Sequence, residues 1–500
     1  MLLGRTEMVS EDTLFMSVRE LAGLLRARKI SPVDLAEAYL DRSERVGPKL
    51  NAYVTITRPL ALAQARAAEK EIAGGHYRGP LHGIPYAVKD LLAVKGYPTT
   101  WGARPYAQQT FDFDATTIER LTRAGAVLIG KAAMIELAGG LGYTNGYASL
   151  TGPCRNPWNT HDWTCGSSSG PGAIASAALA AFALGSDTRG SIICPSAWCG
   201  ISGMRPSFGR VSRYGAMTIA WSMDKIGPMA RTADCCGLVL EAMAGHDDND
   251  WDSLPSRLSA FPYRPLAAKN SRLRIGRLTN VFPRANPQLH AAVARALKVM
   301  EAAGAEVSDA QVPEGPFEEV AELVILIEAA SAFSELIDSG RCALLADPLG
   351  QINGYASRAF SAHDYLHIQR VRTFLAKRVD KLFDSFDVLA APGEGSTAEP
   401  LGPPPGPGGP PPRPRQPAAP GRPAQTRTHE AAPRRESAQP DGISSLCGLP
   451  ALTVPCGFSS QNLPIGIQFM GRALDDQSVL DAANLYQRHT DWHKRRPPLS

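Results

Sequence analysis

The opening residues place apolar side chains on one face of successive helices. Ser17-Val18-Arg19-Glu20 forms a capping box, and Leu21, Leu24 and Leu25 follow on a single face. Ser31-Pro32-Val33-Asp34 opens a second helix. Serine is its N-cap, proline fits the first turn where no N–H partner is needed, and aspartate faces the positive helix end. Residues 63–74, AQARAAEKEIAG, predict a third. From about residue 80 to 240 the pattern changes. Short apolar runs, among them Ile84–Val88, Ala126–Ile129 and Ala183–Gly185, alternate with Gly-rich loops and alanine-rich segments. That alternation predicts an α/β layered fold. Residues 287–306 and 317–340 return to a helical pattern, and Phe386–Ala391 and Ala451–Pro455 read as buried strands.

One stretch breaks the pattern. Residues 401–440 hold 13 of the 41 prolines, and Pro, Gly, Ala and Arg make up 30 of these 40 residues. Leu401 is the only large apolar side chain there, so the tract cannot join a core and is expected to be disordered or polyproline-like. It is read as a segment inside one domain spanning 1–500. Two origins are open: a natural insertion, or a pair of frameshifts, because those four residue types share codons that begin with two G/C bases.

Composition narrows the function. The chain is 500 residues, 44% hydrophobic and 20% charged, which excludes wholesale disorder. The net charge is +4, and the 401–440 tract supplies all of it, so no nucleic-acid partner is implied. Nine cysteines without regular spacing argue against a secreted disulfide framework and for a reducing, cytoplasmic setting. The start, MLLGRTEMVSEDT, carries acids where a signal peptide is apolar. The longest helix-like apolar run, Ala173–Leu184, is 12 residues, too short to span a bilayer.

Three segments could carry chemistry. Thr164–Gly172 (TCGSSSGPG) and Ser186–Pro195 (SDTRGSIICP) are Gly/Ser-rich loops. No Gly-Lys-Ser/Thr follows, which weakens a phosphate-cradle reading. Gly166-Ser167-Ser168-Ser169-Gly170 fits the G-x-S-x-G elbow of α/β-hydrolases, with Ser168 as nucleophile. The preceding NPWNTHDWTC is polar and turn-like, however, where that motif needs an apolar strand. In Leu81–Asp90 (LHGIPYAVKD) an apolar strand runs into Lys89. A lysine buried there beside serine loops would lose its proton easily and could act as a base. A serine hydroxyl needs such an activator to be a nucleophile.

Together and in this order, these segments resemble the amidase signature family. Gly83-Ile-Pro-Tyr-Ala-Val-Lys89-Asp90 resembles its strand with the catalytic lysine. Cys165-Gly166-Ser167-Ser168-Ser169-Gly170 resembles its Gly-Gly-Ser-Ser-Gly-Gly loop, whose first serine bridges through a cis peptide. Asp187-Thr188-Arg189-Gly190-Ser191 resembles Asp-Thr-Gly-Gly-Ser, which ends in the nucleophile. The flanks agree: Gly152–Trp158, Cys199–Pro206, Gly209–Gly215 and Leu463–Gln468. The resemblance implies one large mixed central sheet with helices on both sides. It implies an amidase that cleaves a carboxylic amide through an acyl-serine, with Lys89, Ser167 and Ser191 as triad. The backbone N–H groups of Thr188, Arg189, Gly190 and Ser191 would form the oxyanion hole. It implies a small-molecule amide substrate, no metal or organic cofactor, and no membrane; a homodimer is compatible with it.

Two departures qualify that reading. Arg189 stands where the family has glycine, which would be strained if the site needs a positive φ. Ile193 stands where the family has arginine, and Arg189 is a candidate substitute guanidinium for Asp187. Two rivals follow. The glutaminase-type component of a tRNA-dependent amidotransferase needs an Arg-bearing segment for glutamine, and Leu349–Arg358 (LGQINGYASR) lacks that family pattern. A pseudo-amidase is motivated by Arg189 and the 401–440 tract. The remaining features read as structural: His363 and His367 as surface or structural histidines, Cys194, Cys199, Cys235 and Cys236 as buried thiols, Trp492-His493 as surface. Trp101 and Met134 are read as core or pocket wall.

Overall fold

A computed structural model describes residues 9–265, 272–402 and 439–499. Most of the proline-rich tract (403–438) lies outside these, and so do the expectations for its disorder and origin. The predicted helix starts are in place. Ser17 and Glu20 cap each other's backbone ahead of the helix Val18–Arg26. Ser31 accepts from the N–H groups of Val33 and Asp34 at the start of Pro32–Leu50. The third segment extends to Arg58–Ala73.

Eleven strands form one mixed sheet. In chain order they are β1 Tyr53–Ile56, β2 Pro85–Lys89, β3 Val127–Ala132, β4 Phe182–Asp187, β5 Ser202–Arg205, β6 Lys225–Ala230, β7 Arg274–Leu278, β8 Glu306–Ala310, β9 Val388–Pro392, β10 Ala451–Phe458 and β11 Pro464–Gly471. Their order across the sheet is β1-β3-β2-β4-β6-β5-β10-β11-β9-β7-β8. Helices pack against both sides and close the core. Strands β2, β3, β4, β6 and β9 are buried along their whole length, as expected for strands covered on both faces.

Two expected elements differ. The pattern over 317–340 resolves into Phe317–Ala332 and Ser334–Asp338, interrupted at Phe333, and 287–306 ends as a helix at Ala302 before β8 begins. Hydrophobicity marks both stretches, but the breaks depend on how each packs.

One local register positions the chemistry. β2 and β4 are parallel neighbours, pairing Tyr86 with Phe182 and Val88 with Leu184. Their C-terminal ends, Lys89 and Ser186-Asp187, therefore emerge side by side. β6 runs antiparallel to β4 and sets Lys225 opposite Asp187. Ligand sites in such sheets form outside the carboxyl ends of the strands.

Candidate active site

Lys89 ends β2 with no exposed surface. Its Nζ lies 2.7 Å from Ser167 Oγ, 2.9 Å from Ser186 Oγ and 3.1 Å from Ser168 Oγ. Burial pushes its amine down to about 7, opposed by the carboxylates of Asp187 and Asp224. A neutral amine offers two N–H groups and one lone pair to these three hydroxyls. Ser168 already donates its proton to the Ser186 carbonyl at 3.0 Å and accepts the Ser186 N–H at 3.2 Å. It can therefore only accept from Lys89. The lone pair is left for Ser167 or Ser186, and Ser167 is the nearer. Ser186, which the sequence pattern does not single out, thus belongs to the lysine's cradle.

The neighbouring carboxylate does not hold this lysine charged. Asp90 turns away and pairs with Lys131 on β3 at 2.9 Å, both fully buried. Asp90 also accepts from the Thr100 N–H and hydroxyl, and Lys131 donates to the Pro98 carbonyl and Thr99 hydroxyl. Lys131→Met would strand a buried carboxylate. It is expected to lower stability by about 3–5 kcal/mol, read as an earlier urea midpoint.

Ser167 follows a cis peptide at Gly166 and is buried, as are Ser168 and Ser186. Ser168 is sealed in, and the polar segment before it forms the strand Asn159–Trp163 paired with Arg155–Asn156 rather than an apolar strand. Neither feature suits the α/β-hydrolase elbow. Ser191 differs from the other serines in being partly exposed, at the start of the turn into the helix Ile193–Cys199. The Ser168 N–H donates to the Ser191 carbonyl at 3.3 Å, joining the two loops.

The loop Asp187–Ser191 is organised by its carboxylate. Asp187 Oδ1 accepts from the Gly190 N–H at 2.8 Å, and Oδ2 from the Ile192 N–H at 2.7 Å. Its countercharge is Arg205 on β5, at 3.2 Å and fully buried. Burial alone would raise the carboxyl, but the charges of Arg205 and Lys225 and these N–H groups bring it below the usual range. Arg189 is therefore not the substitute guanidinium; it faces Glu318 at 3.6 Å. Nor does Arg189 take the left-handed turn, which falls on Gly190 at φ +87. A side chain at Gly190 would also meet Asp441 Oδ2 at 2.7 Å. Of the backbone N–H groups expected to form an oxyanion hole, that of Gly190 donates to Asp187.

Further acids surround the loop. Asp441 accepts from Gln468 at 2.8 Å, and burial drives its carboxyl well up. Burial likewise pushes Glu394 up to about 7. Behind the loop, Thr188 donates to Asp224 at 2.6 Å, and the buried Lys225 donates to Ser445 at 2.8 Å. Lone Asp and Glu residues far along the chain give no sequence signal. Arg205 does lie in the Cys199–Pro206 segment, but nothing there links it to Asp187.

Other candidates settle elsewhere. His363 and His367 are exposed, and among the described residues no group of His, Cys, Asp and Glu is placed to hold a metal. Met134 is core, and Trp101 packs on Tyr106 at 4.5 Å. Trp492 is not a free surface residue but packs against Phe458 and Arg495. Cys194 is not a free thiol: it is disulfide-bonded to Cys165. Clefts of about 710 and 960 Å³ lie elsewhere and include none of Lys89, Ser167 or Ser191.

Comparison with known proteins decides the family. The family model described as Amidase matches residues 34–480. The chain belongs to the amidase family. Among curated amidase relatives, a glutamyl-tRNA(Gln) amidotransferase subunit of Moorella thermoacetica is 34% identical over 98% of this chain and 99% of its own. Among solved amidase structures, native peptide amidase from Stenotrophomonas maltophilia superposes with a TM-score of 0.79 at 28% identity, covering 97% of this chain and 98% of that one. A chain from a complex bearing on the origins of an s-triazine catabolic enzyme superposes at 0.81 with 28% identity, over 95% and 98%. Membership in this family makes the chain a carbon–nitrogen hydrolase by class. Among the described residues no helix is long and apolar enough to cross a membrane.

Proposed function

We propose that this protein is a stand-alone amidase that hydrolyses a carboxylic amide to a carboxylate and ammonia or an amine. The observation that carries the proposal is a desolvated lysine, Lys89, 2.7 Å from the hydroxyl of Ser167. Neutral Lys89 accepts the Ser167 proton while Ser167 accepts that of Ser191, and Ser191 Oγ attacks the amide carbonyl. The N–H groups of Thr188, Arg189 and Ser191 receive the oxyanion, each worth roughly 3–4 kcal/mol in a dry site. Ser167 returns the proton to the leaving nitrogen. Water then cleaves the acyl-enzyme by the same relay. The protein acts in the cytoplasm on a small-molecule amide, as a single domain.

A second reading, the glutaminase-type component of a tRNA-dependent amidotransferase, is favoured by the full-length match to the Moorella thermoacetica relative. Against it, the segment expected to hold glutamine's carboxylate forms the helix Pro348–Ser357, which carries no arginine. Arg358, just beyond it, is engaged by Asp338 at 2.5 Å. The pseudo-amidase reading loses one of its motives, since Arg189 does not carry the left-handed turn. An ammonia-release screen over aliphatic, aryl, amino-acid and cyclic amides, with Ser191→Ala as control, is expected to find a substrate for the protein alone. Release from glutamine only, and only with added amidotransferase partners, would favour the second reading. No release from any amide would favour the third.

A further inference from the structure

Cys165 and Cys194 are joined across the two loops that carry the candidate serines. Cys165 lies two residues before Ser167, and Cys194 three residues after Ser191. The bond therefore ties the bridging-serine loop to the start of the helix that follows the nucleophile. It lies in a small apolar cluster with Ala197, Trp198 and Leu463, and its two residues are 8% and 6% exposed.

The backbone gives a second, independent observation. Cys165 adopts φ +66, a left-handed conformation that glycine takes freely and cysteine does not. The family loop resembled by this segment has glycine at that position. A side chain held in such a conformation beside reacting groups points to a function for it.

We infer that the Cys165–Cys194 disulfide is a positioning device that fixes the Ser167 loop against the Ser191 loop for proton transfer between them. The inference rests on the amidase reading. Proton relay through two hydroxyls requires that they reach hydrogen-bond distance, which depends on how their two loops are held. Beside the disulfide, the loops share the Ser168 N–H to Ser191 carbonyl bond at 3.3 Å and the two bonds between Ser168 and Ser186 at 3.0 and 3.2 Å, none of which engages the hydroxyl of Ser167 or Ser191. Oxidised glutathione can form the bond. One cysteine thiolate attacks it and releases one glutathione thiol. The second cysteine then displaces the other, so that the two cysteine protons and two electrons end on the two glutathione thiols. A dithiol such as dithiothreitol reverses the exchange, itself becoming the cyclic disulfide. Burial of both residues slows attack by bulky reductants, so the bond can persist where exposed disulfides are reduced.

The test uses the full-length protein purified without reductant. Denaturation and alkylation, with no reduction, should add seven adducts, since seven of the nine cysteines are free; nine would overturn the proposal. Native oxidised and dithiothreitol-reduced forms are then compared by the rate at which a fluorophosphonate labels Ser191, and by kcat and KM on an accepted amide. Reduction is expected to lower labelling and kcat by about 10- to 100-fold with KM unchanged, as for a small misplacement of reacting groups. Oxidised glutathione should restore both. Cys165→Gly relieves the backbone while removing the link, so it is expected to fold, to show the same loss, and to ignore dithiothreitol. Cys194→Ala serves if that variant does not fold. Equal rates in oxidised, reduced and Cys165→Gly protein would overturn the proposal and leave the amidase reading standing. No labelling of Ser191 in any form would overturn both.

Discussion

Lys89→Met is expected to fold and to lose turnover by about 10²- to 10⁴-fold, the usual size of a general-base contribution. Methionine keeps the length and packing of the stem but offers no lone pair to Ser167. Lys89→Arg is expected to fail as well, because guanidinium does not deprotonate in proteins. The pH profile carries the sharper signature. The buried amine is pushed down to about 7, and only its neutral form accepts a proton. kcat/KM is therefore expected to rise through pH 7 along one ionisation and to level off above it. Stability should follow the same group. In the unfolded chain the amine keeps its proton up to about pH 10.4. Between about 7 and 10.4 the unfolded state binds more protons, so stability rises with pH across that window. Lys89→Met should remove this contribution, and it should unfold no earlier than wild type near pH 7, since no ammonium is buried. Near-normal rates in both variants would remove Lys89 as the base.

Ser191→Ala is expected to abolish hydrolysis, by on the order of 10⁵- to 10⁶-fold, while leaving the fold unchanged. Ser167, Ser168 and Ser186 are buried, whereas Ser191 is partly exposed at the loop proposed to supply the oxyanion donors. A substrate carbonyl can reach it. Mass spectrometry after a fluorophosphonate or sulfonyl fluoride should place the adduct on Ser191. An adduct on Ser168 would instead revive the elbow reading, against its saturated hydrogen bonds.

Much of this protein is legible along the chain. The capping residues Ser17 and Ser31, the helices they start, and the apolar strands running into Lys89 and Asp187 follow from local periodicity and end chemistry. The three segments that meet at the candidate site are all marked by composition: an apolar strand ending in a lysine, and two Gly/Ser loops. Their likeness to one family supplies order and roles. Local pattern does not reveal where strands break or which serines see solvent, because both depend on what packs over them.

The sequence by itself determined which residue types could do chemistry here and on which local elements they sit. Only the tertiary structure decided which charges and thiols are partners. Asp187 is neutralised by Arg205, not by Arg189 two residues away, because β4 and β5 both pair with β6 and the buried carboxylate meets the arginine that has no exposure. Asp90 is taken by Lys131 because β2 and β3 run parallel and a register shift after Tyr86 sets Lys131 opposite Val88, two residues before Asp90. Arg189 reaches Glu318, and Cys165 reaches Cys194, across loops that only the folded sheet brings together. Burial makes such pairing compulsory, since an unpaired charge in a dry interior costs several kcal/mol. The choice of partner is a matter of strand order and register, which local sequence does not encode.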